Sequence, residues 1–337
     1  MNRYGYICQQ IRSDLMKKLT ILILISTLFF SLPTFAKQSW QAFLQEIRTE
    51  AINQGIRPAV VDEAFKGLNS PNWKVLSLDR TQPEKRLTYI KYRNTRADSY
   101  RITMGRYELK KHQALLAKIA QRYGINECFI LSLWGLETSY GHYMGNFPVI
   151  YSLATLAYDD RRSELFRHEL LLGLHILNDG HVQLKNFKGE WAGASGHPQF
   201  LPSSWHDYAV DYDNDGHKDI WKSLPDSFAS IANYLSKNGW KQGEPWAIPV
   251  IIPANINSQL ISPDVTKTVS EWERLGITIQ PGEFLPSNNY HASIINPYGG
   301  PAMMIFNNFK VIMKWNHSTY YAGTVGYMAD KICQGQI

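Results

Sequence analysis

Cysteine is scarce in this sequence, and no spacing of it suits a metal or a redox pair. Three occur in 337 residues, at positions 8, 128 and 333. That excludes a disulfide-stapled miniature fold and a Cys-rich zinc module. The ten histidines show no zinc spacing either, and His197, His206 and His217 read as loop and surface residues. G-x-G-x-x-G, P-loop and H-E-x-x-H patterns are missing, which removes the usual dinucleotide, phosphate-cradle and metalloprotease readings. G-x-S-x-G is missing too, so Ser203 and Ser204 read as helix caps and not as nucleophiles. There is no internal repeat and no low-complexity tract. Charged residues make up only 19%, with no Lys/Arg run of the kind that binds nucleic acid.

What is present fits a globular chain with two or three packed units, since 44% of residues are hydrophobic. Trp (10) and Tyr (19) are plentiful, which suits sugar stacking as well as a large core. Residues 1–36 read as a leader. Met16-Lys17-Lys18 begins a basic segment, Leu19 to Leu32 is apolar, and Pro33-Thr34-Phe35-Ala36 precedes the expected cleavage before Lys37. The apolar run is too short for a membrane span, and no cysteine follows it to carry a lipid. The protein is expected to be exported to the periplasm. The leader holds +3 of the net +6, leaving a mild +3 on the mature chain. Export also puts Cys128 and Cys333 where one disulfide is allowed. Because Cys128 falls on an apolar helix, an inert core thiol is the plainer expectation.

That helix carries the main candidate. From Asn126, a suitable N-cap, the chain runs almost wholly apolar to Gly141, a suitable stop, and Glu137 is the one ionisable group after Glu127. Apolar surroundings and a nearby helix C-terminus both disfavour a carboxylate. A carboxylic acid kept protonated near neutral pH is what general-acid chemistry needs. The alternative is a carboxylate that only accepts local hydrogen bonds. No sequence neighbour offers the second carboxylate of an ordinary glycosidase.

Around this helix the pattern is mostly helical. Trp40, Phe43, Leu44 and Ile47 form an amphipathic stripe, and Tyr100 to Arg122 reads as one long helix. Tyr89, Tyr92 and Tyr100 read as packing. Arg161 and Arg162 would clamp an acidic substrate group or pair with Asp159, Asp160 and Glu164; the ion-pair reading is favoured for the pair taken alone. A glycine-rich loop from Gly189 to Trp205 offers one amide, Gln199. Asp211 to Asp219 matches the first nine positions of an EF-hand loop, with Asp211, Asp213 and Asp215 at the first three ligand positions and His217 supplying a carbonyl. Position 12 is Lys222, so Asp226 would have to complete the shell. A structural calcium is expected there, weaker than in a full EF-hand; an acidic surface turn is the alternative.

Five motifs in order carry a resemblance. They are Trp134-Gly135-Leu136-Glu137-Thr138-Ser139-Tyr140-Gly141; Met144-Gly145-Asn146-Phe147; Ser152-Leu153-Ala154-Thr155-Leu156-Ala157 with Arg161-Arg162; Trp191-Ala192-Gly193-Ala194 with Gln199-Phe200-Leu201-Pro202-Ser203-Ser204; and Asn316-His317-Ser318-Thr319-Tyr320-Tyr321. Together they resemble the lytic murein transglycosylase B family, from about residue 38 onward. The resemblance implies a mainly α (α+β) fold, with a lysozyme-like core at 111–243 completed by 303–337, an N-terminal helical region at 37–110 and a small β-rich subdomain at 244–302. It implies cleavage of the MurNAc–GlcNAc bond of peptidoglycan with 1,6-anhydro-MurNAc ends, Glu137 as the single acid/base, and no catalytic cofactor. Gln199, Tyr234, Asn316 and Tyr321 take substrate-groove roles. Glycan strands are the expected partner of a monomer, with cell-wall synthesis or turnover proteins as further candidates. A hydrolase on the same scaffold, a non-catalytic wall-binding module and a calcium-dependent lectin are the alternatives. Two positions depart from the family's pattern: Glu190, where a small hydroxyl residue is expected, and Trp315, where a Tyr is usual.

Overall fold

Ser39 caps the first helix, its Oγ accepting the Ala42 N–H, and α1 (Trp40–Asn53) buries the expected stripe of Trp40, Phe43, Leu44 and Ile47. The computed structural model describes residues 38–81, 87–283 and 289–334, so the leader read from residues 1–36 lies outside the described residues. Helices α2 (Pro58–Phe65), α3 (Trp73–Arg80) and α4 (Tyr89–Arg96) each start on a local signal. These are a proline in the first turn, the Asn72 carboxamide, and the Thr88 hydroxyl.

The segment from Tyr100 to Arg122 is not one helix. α5 (Ser99–Lys111) and α6 (Gln113–Tyr123) meet at His112, whose ψ of 18° leaves the helix. The break lets its ring pack on Phe228, with centroids 5.7 Å apart, while Nε2 stands 3.1 Å from the carboxylate of buried Glu108. Tertiary contact overrides the local period here.

The candidate helix α7 (Glu127–Thr138) is capped by Asn126, whose Oδ1 accepts the Cys128 N–H at 2.8 Å. It lies amid α5, α6, α11 (Leu224–Lys237) and α14 (Thr319–Cys333). On the other side of the core, α8 (Val149–Tyr158) packs on α9 (Ser163–Asn178), and α10 (Pro202–Tyr208) packs on α9. Ser203 does not cap α10. Its N–H and Oγ both donate to the buried carboxylate of Glu169, which brings negative charge to that helix N-terminus. A short ribbon, β1 (Phe147–Pro148) antiparallel to β2 (Lys188–Gly189), ties the loop after α7 to the glycine-rich loop.

A second core lies under an antiparallel sheet of order β4-β6-β7-β3-β5. Its strands are β3 (Ala247–Ile251), β4 (Lys267–Thr268), β5 (Thr278–Ile279), β6 (His291–Ile295) and β7 (Met303–Ile305), with α12 (Val269–Arg274) packed across by Trp272. β7 lies past residue 302, so the sheet takes in three residues that the sequence reading gave to the returning core. From there the chain re-enters the helical body as α13 (Asn307–Trp315). Phe306 provides no side-chain cap for α13; instead Oε1 of buried Glu244 accepts the Asn307 N–H at 2.8 Å.

Cys128 and Cys333 form a disulfide, with Cα atoms 5.9 Å apart and a sequence separation of 205. This corrects the core-thiol expectation. Cys128 is buried, as read, but it sits at the first turn of α7, where the last turn of α14 reaches it. Closing so long a loop restricts the unfolded chain, so reduction, or Cys333→Ser, should cost about 2–4 kcal/mol. Thermal unfolding with and without reductant measures this. A melting temperature unmoved by either change would contradict it.

Candidate active site

Glu137 stands one residue before the end of α7, and the chain leaves the helix abruptly behind it. Ser139 (φ 49°), Tyr140 (φ 62°) and Gly141 (φ 83°) are all left-handed. The helix therefore stops at Ser139, not at Gly141 as its composition suggested. Gly141 answers a different need, because a Cβ there would come 2.6 Å from the His197 ring. Two strained non-glycine residues in succession need surroundings that enforce them. The Tyr140 hydroxyl donates to the Arg101 carbonyl at 2.7 Å, and the Ser139 N–H donates to the Gly135 carbonyl at 3.0 Å. Trp134 Nε1 donates to His197 Nδ1 at 2.9 Å, which fastens α7 to the glycine-rich loop. Burial pulls the His197 pKa down to about 4, so the ring is neutral and able to accept.

Glu137 is half-buried, and its carboxyl takes both its hydrogen bonds on one oxygen. Trp315 Nε1 donates to Oε1 at 2.9 Å, and the Tyr321 hydroxyl donates to the same Oε1. Desolvation raises the Glu137 pKa above the ordinary carboxylate value, while these two donors and the charge of Arg96 pull it back in part. Burial, then the charge of Glu137 and the hydrogen bond to it, hold the Tyr321 hydroxyl well above its ordinary value, so it remains a donor. Among the described residues, the charged side chain that bears on Glu137 is Arg96.

An aromatic wall joins this carboxyl to the expected groove residues. The Trp315 ring meets Tyr234 at 4.7 Å and Phe200 at 5.3 Å, and Tyr234 meets Tyr208 at 4.4 Å. Tyr234 is buried in that wall, and burial pushes its hydroxyl up to about 12. Gln199, next to Phe200, has φ 52° and donates from Nε2 to the Gly196 carbonyl at 2.8 Å and to the Met144 carbonyl at 3.3 Å. Its Oε1 is buried without a hydrogen-bond partner. Asn316, the residue after Trp315, ends α13 and is exposed.

Arg161 and Arg162 have a partner that the sequence reading did not name. Both face the buried carboxylate of Asp79, on α3, and Asp159 pairs instead with Arg80. The acidic loop is also rearranged. Oxygens of Asp211, Asp213 and Asp226 lie within 4.8 Å of one another. Asp215 stays outside this group, its Oδ1 accepting the His217 N–H at 2.8 Å. Asp226 is buried, accepting N–H groups of Tyr212 and Asp219 at 2.8 Å each. Three close carboxyl groups rich in oxygen donors fit a hard divalent cation.

Sequence reasoning missed the contribution of α4. Its Tyr92 and Arg96 act electrostatically on Glu137 and Tyr321. The signal was available: Tyr89, Tyr92 and Arg96 recur at i, i+3 and i+7, one face of a helix.

Residues 39–330 match the family described as the transglycosylase SLT domain. Membrane-bound lytic murein transglycosylase B of Escherichia coli (strain K12) is 31% identical over 256 residues, which span 74% of this chain and 68% of that protein. SltB3 from Pseudomonas aeruginosa, solved in complex with NAG-anhNAM-pentapeptide, superposes with a TM-score of 0.84 at 39% identity, covering 88% of this chain and 80% of that one. The Escherichia coli lytic transglycosylase Slt35, solved in complex with calcium, superposes with a TM-score of 0.76 at 28% identity, covering 87% and 93%. The mainly helical, lysozyme-like body with small antiparallel sheets is the architecture of these relatives. The chain belongs to the transglycosylase SLT domain family, that of the lytic murein transglycosylases.

Proposed function

We propose that this enzyme cleaves the β-1,4 bond between MurNAc and GlcNAc of peptidoglycan and leaves a 1,6-anhydro-MurNAc end, with Glu137 as its one acid/base. The observation that carries the reading is the convergence of both donors on Oε1. In the neutral acid Oε1 accepts twice, so the proton rides on Oε2 and is aimed outward. Oε2 gives that proton to the glycosidic oxygen as the C1–O bond breaks. Negative charge then develops on a carboxylate whose two donors are already in place, which lowers the barrier without reorganisation. The same carboxylate takes the proton of the 6-hydroxyl as O6 bonds to C1, and Glu137 returns to its starting state. The nucleophile belongs to the substrate, so no second carboxylate is needed to ready a water.

The exposed Asn316 amide suits the acetamido and hydroxyl groups of such sugars, and Gln199 holds the loop beside Phe200 through the Gly196 and Met144 carbonyls. SltB3, solved with NAG-anhNAM-pentapeptide and with NAG-NAM-pentapeptide, supports glycan strands as the substrate. The leader at residues 1–36, outside the described residues, supports a periplasmic site of action; no helix among the described residues is long and apolar enough to cross a membrane. Asp211, Asp213 and Asp226 hold a structural calcium, which supplies stability and no catalytic step.

Three outcomes test this. Digestion of purified sacculi should release muropeptides lighter by one water than hydrolysis products. Glu137→Gln should fold normally and lose at least ~10²-fold in rate. Release of ordinary reducing ends would make the enzyme a hydrolase instead.

The pH profile follows from the same contacts. The acid must be protonated to act, so activity falls as pH rises through the Glu137 pKa. Trp315 N–H stabilises the charged form, so Trp315→Phe, which keeps an aromatic ring in the wall, should raise that pKa. The alkaline limb should move up by about one unit, the size of one hydrogen bond to a charged group. A limb that stays in place would detach Trp315 from the acid.

Calcium in excess should raise the melting temperature in proportion to the logarithm of its concentration above Kd, and Asp213→Ala should abolish that response. Indifference of the wild-type melting temperature to calcium and chelator would leave an acidic turn.

A further inference from the structure

We infer that Arg96 receives a carboxylate carried by the glycan strand beside the bond that Glu137 cleaves; the inference rests on the transglycosylase reading. Arg96 is exposed at the C-terminal end of α4, a helix seated with care. The Tyr89 N–H donates to the Tyr298 carbonyl at 2.8 Å. The Tyr89 ring lies over Gly300 and Gly323, where an added Cβ would come within 2.5 and 2.7 Å of it. Along the same face, the Tyr92 ring meets Tyr320 at 5.8 Å, next to Tyr321. The Arg96 guanidinium lies 5.8 Å from the Tyr92 ring centroid. A loop of the sheet domain thus fixes α4 against α14 and sets its last arginine at the groove.

Among the described residues Arg96 has no carboxylate in hydrogen-bond or ion-pair contact there. Other arginines of this region are engaged: Arg161 and Arg162 by Asp79, Arg101 by Asp98, Arg80 by Asp159, and Arg93 by the Tyr327 ring at 4.0 Å.

Its charge also reaches the acid: among the described residues Arg96 is the charged side chain that bears on Glu137. A substrate anion paired with the guanidinium would therefore lie on the side of the acid. Peptidoglycan brings that anion. MurNAc bears a lactyl ether on C3, two carbons from the scissile C1, extended by a stem peptide with free carboxylates. A guanidinium pairs with a carboxylate through two parallel hydrogen bonds, which also fixes the sugar's register.

The experiment compares native glycan strands with strands whose carboxylates are capped as neutral amides by carbodiimide and glycinamide. For the wild type, capping should raise KM about 10-fold, the scale of one charge-assisted contact, while kcat changes far less. Arg96→Gln should show the raised KM on native strands, capping should raise it no further, and Arg96→Lys should recover part of the loss. The inference is overturned if Arg96→Gln still responds to capping as the wild type does, or if it loses kcat equally on both substrates with KM unmoved. Absence of anhydro ends from wild-type digests of native strands would overturn the transglycosylase reading itself, independently of Arg96.

Discussion

Two hydrogen bonds meeting on one oxygen of a desolvated carboxyl group are the constraint that the molecule is built to satisfy. Burial favours the protonated form of Glu137, and the two donors favour its conjugate base. Each donor to a charged acceptor contributes on the order of 1.5–3 kcal/mol, so the pair offsets part of the desolvation. The two donors come from α13 and α14, almost two hundred residues downstream of the acid. Everything between must fold so that the chain's end returns to the groove.

This gives the sheet domain a mechanical place in the design. It is inserted just before α13, and Glu244 at its entrance caps the N-terminus of the helix that ends on Trp315. The loop between β6 and β7 holds α4 through Tyr298, whose carbonyl also accepts the Tyr320 hydroxyl at 3.2 Å. The domain touches the site through the placement of other elements, and its own core is separate.

How far the sequence foretold this depends on the range of each interaction. Glu137 was legible because a single acid on an apolar helix is a local anomaly, and Asn126 because a cap acts within one turn. The Asp79 partnership of Arg161 and Arg162 was not legible, since no spacing rule links residues some eighty positions apart. The disulfide failed for the same reason: Cys128 is as buried as its helix suggested, and only the arrival of α14 turns it from a thiol into a bridge. The calcium-type loop was legible in part. Asp226 was named there to complete the shell and does join Asp211 and Asp213, whereas Asp215, which matches the pattern, stays outside the cluster. Trp315 stood out in the sequence as a departure from a family's usual residue, but a departure does not say what the new side chain touches. Its indole N–H on the acid is visible only once α13 and α7 are side by side.

The Cys128–Cys333 link has a topological consequence. It converts the polypeptide from the first turn of α7 to the last turn of α14 into a closed ring that contains Glu137, both its donors, the cluster of three aspartates and the entire sheet domain. A protease that nicks any exposed loop within this ring produces two chains but not two molecules. The halves stay joined at the first turn of the helix that carries Glu137, which keeps the downstream donors from drifting away after a cut.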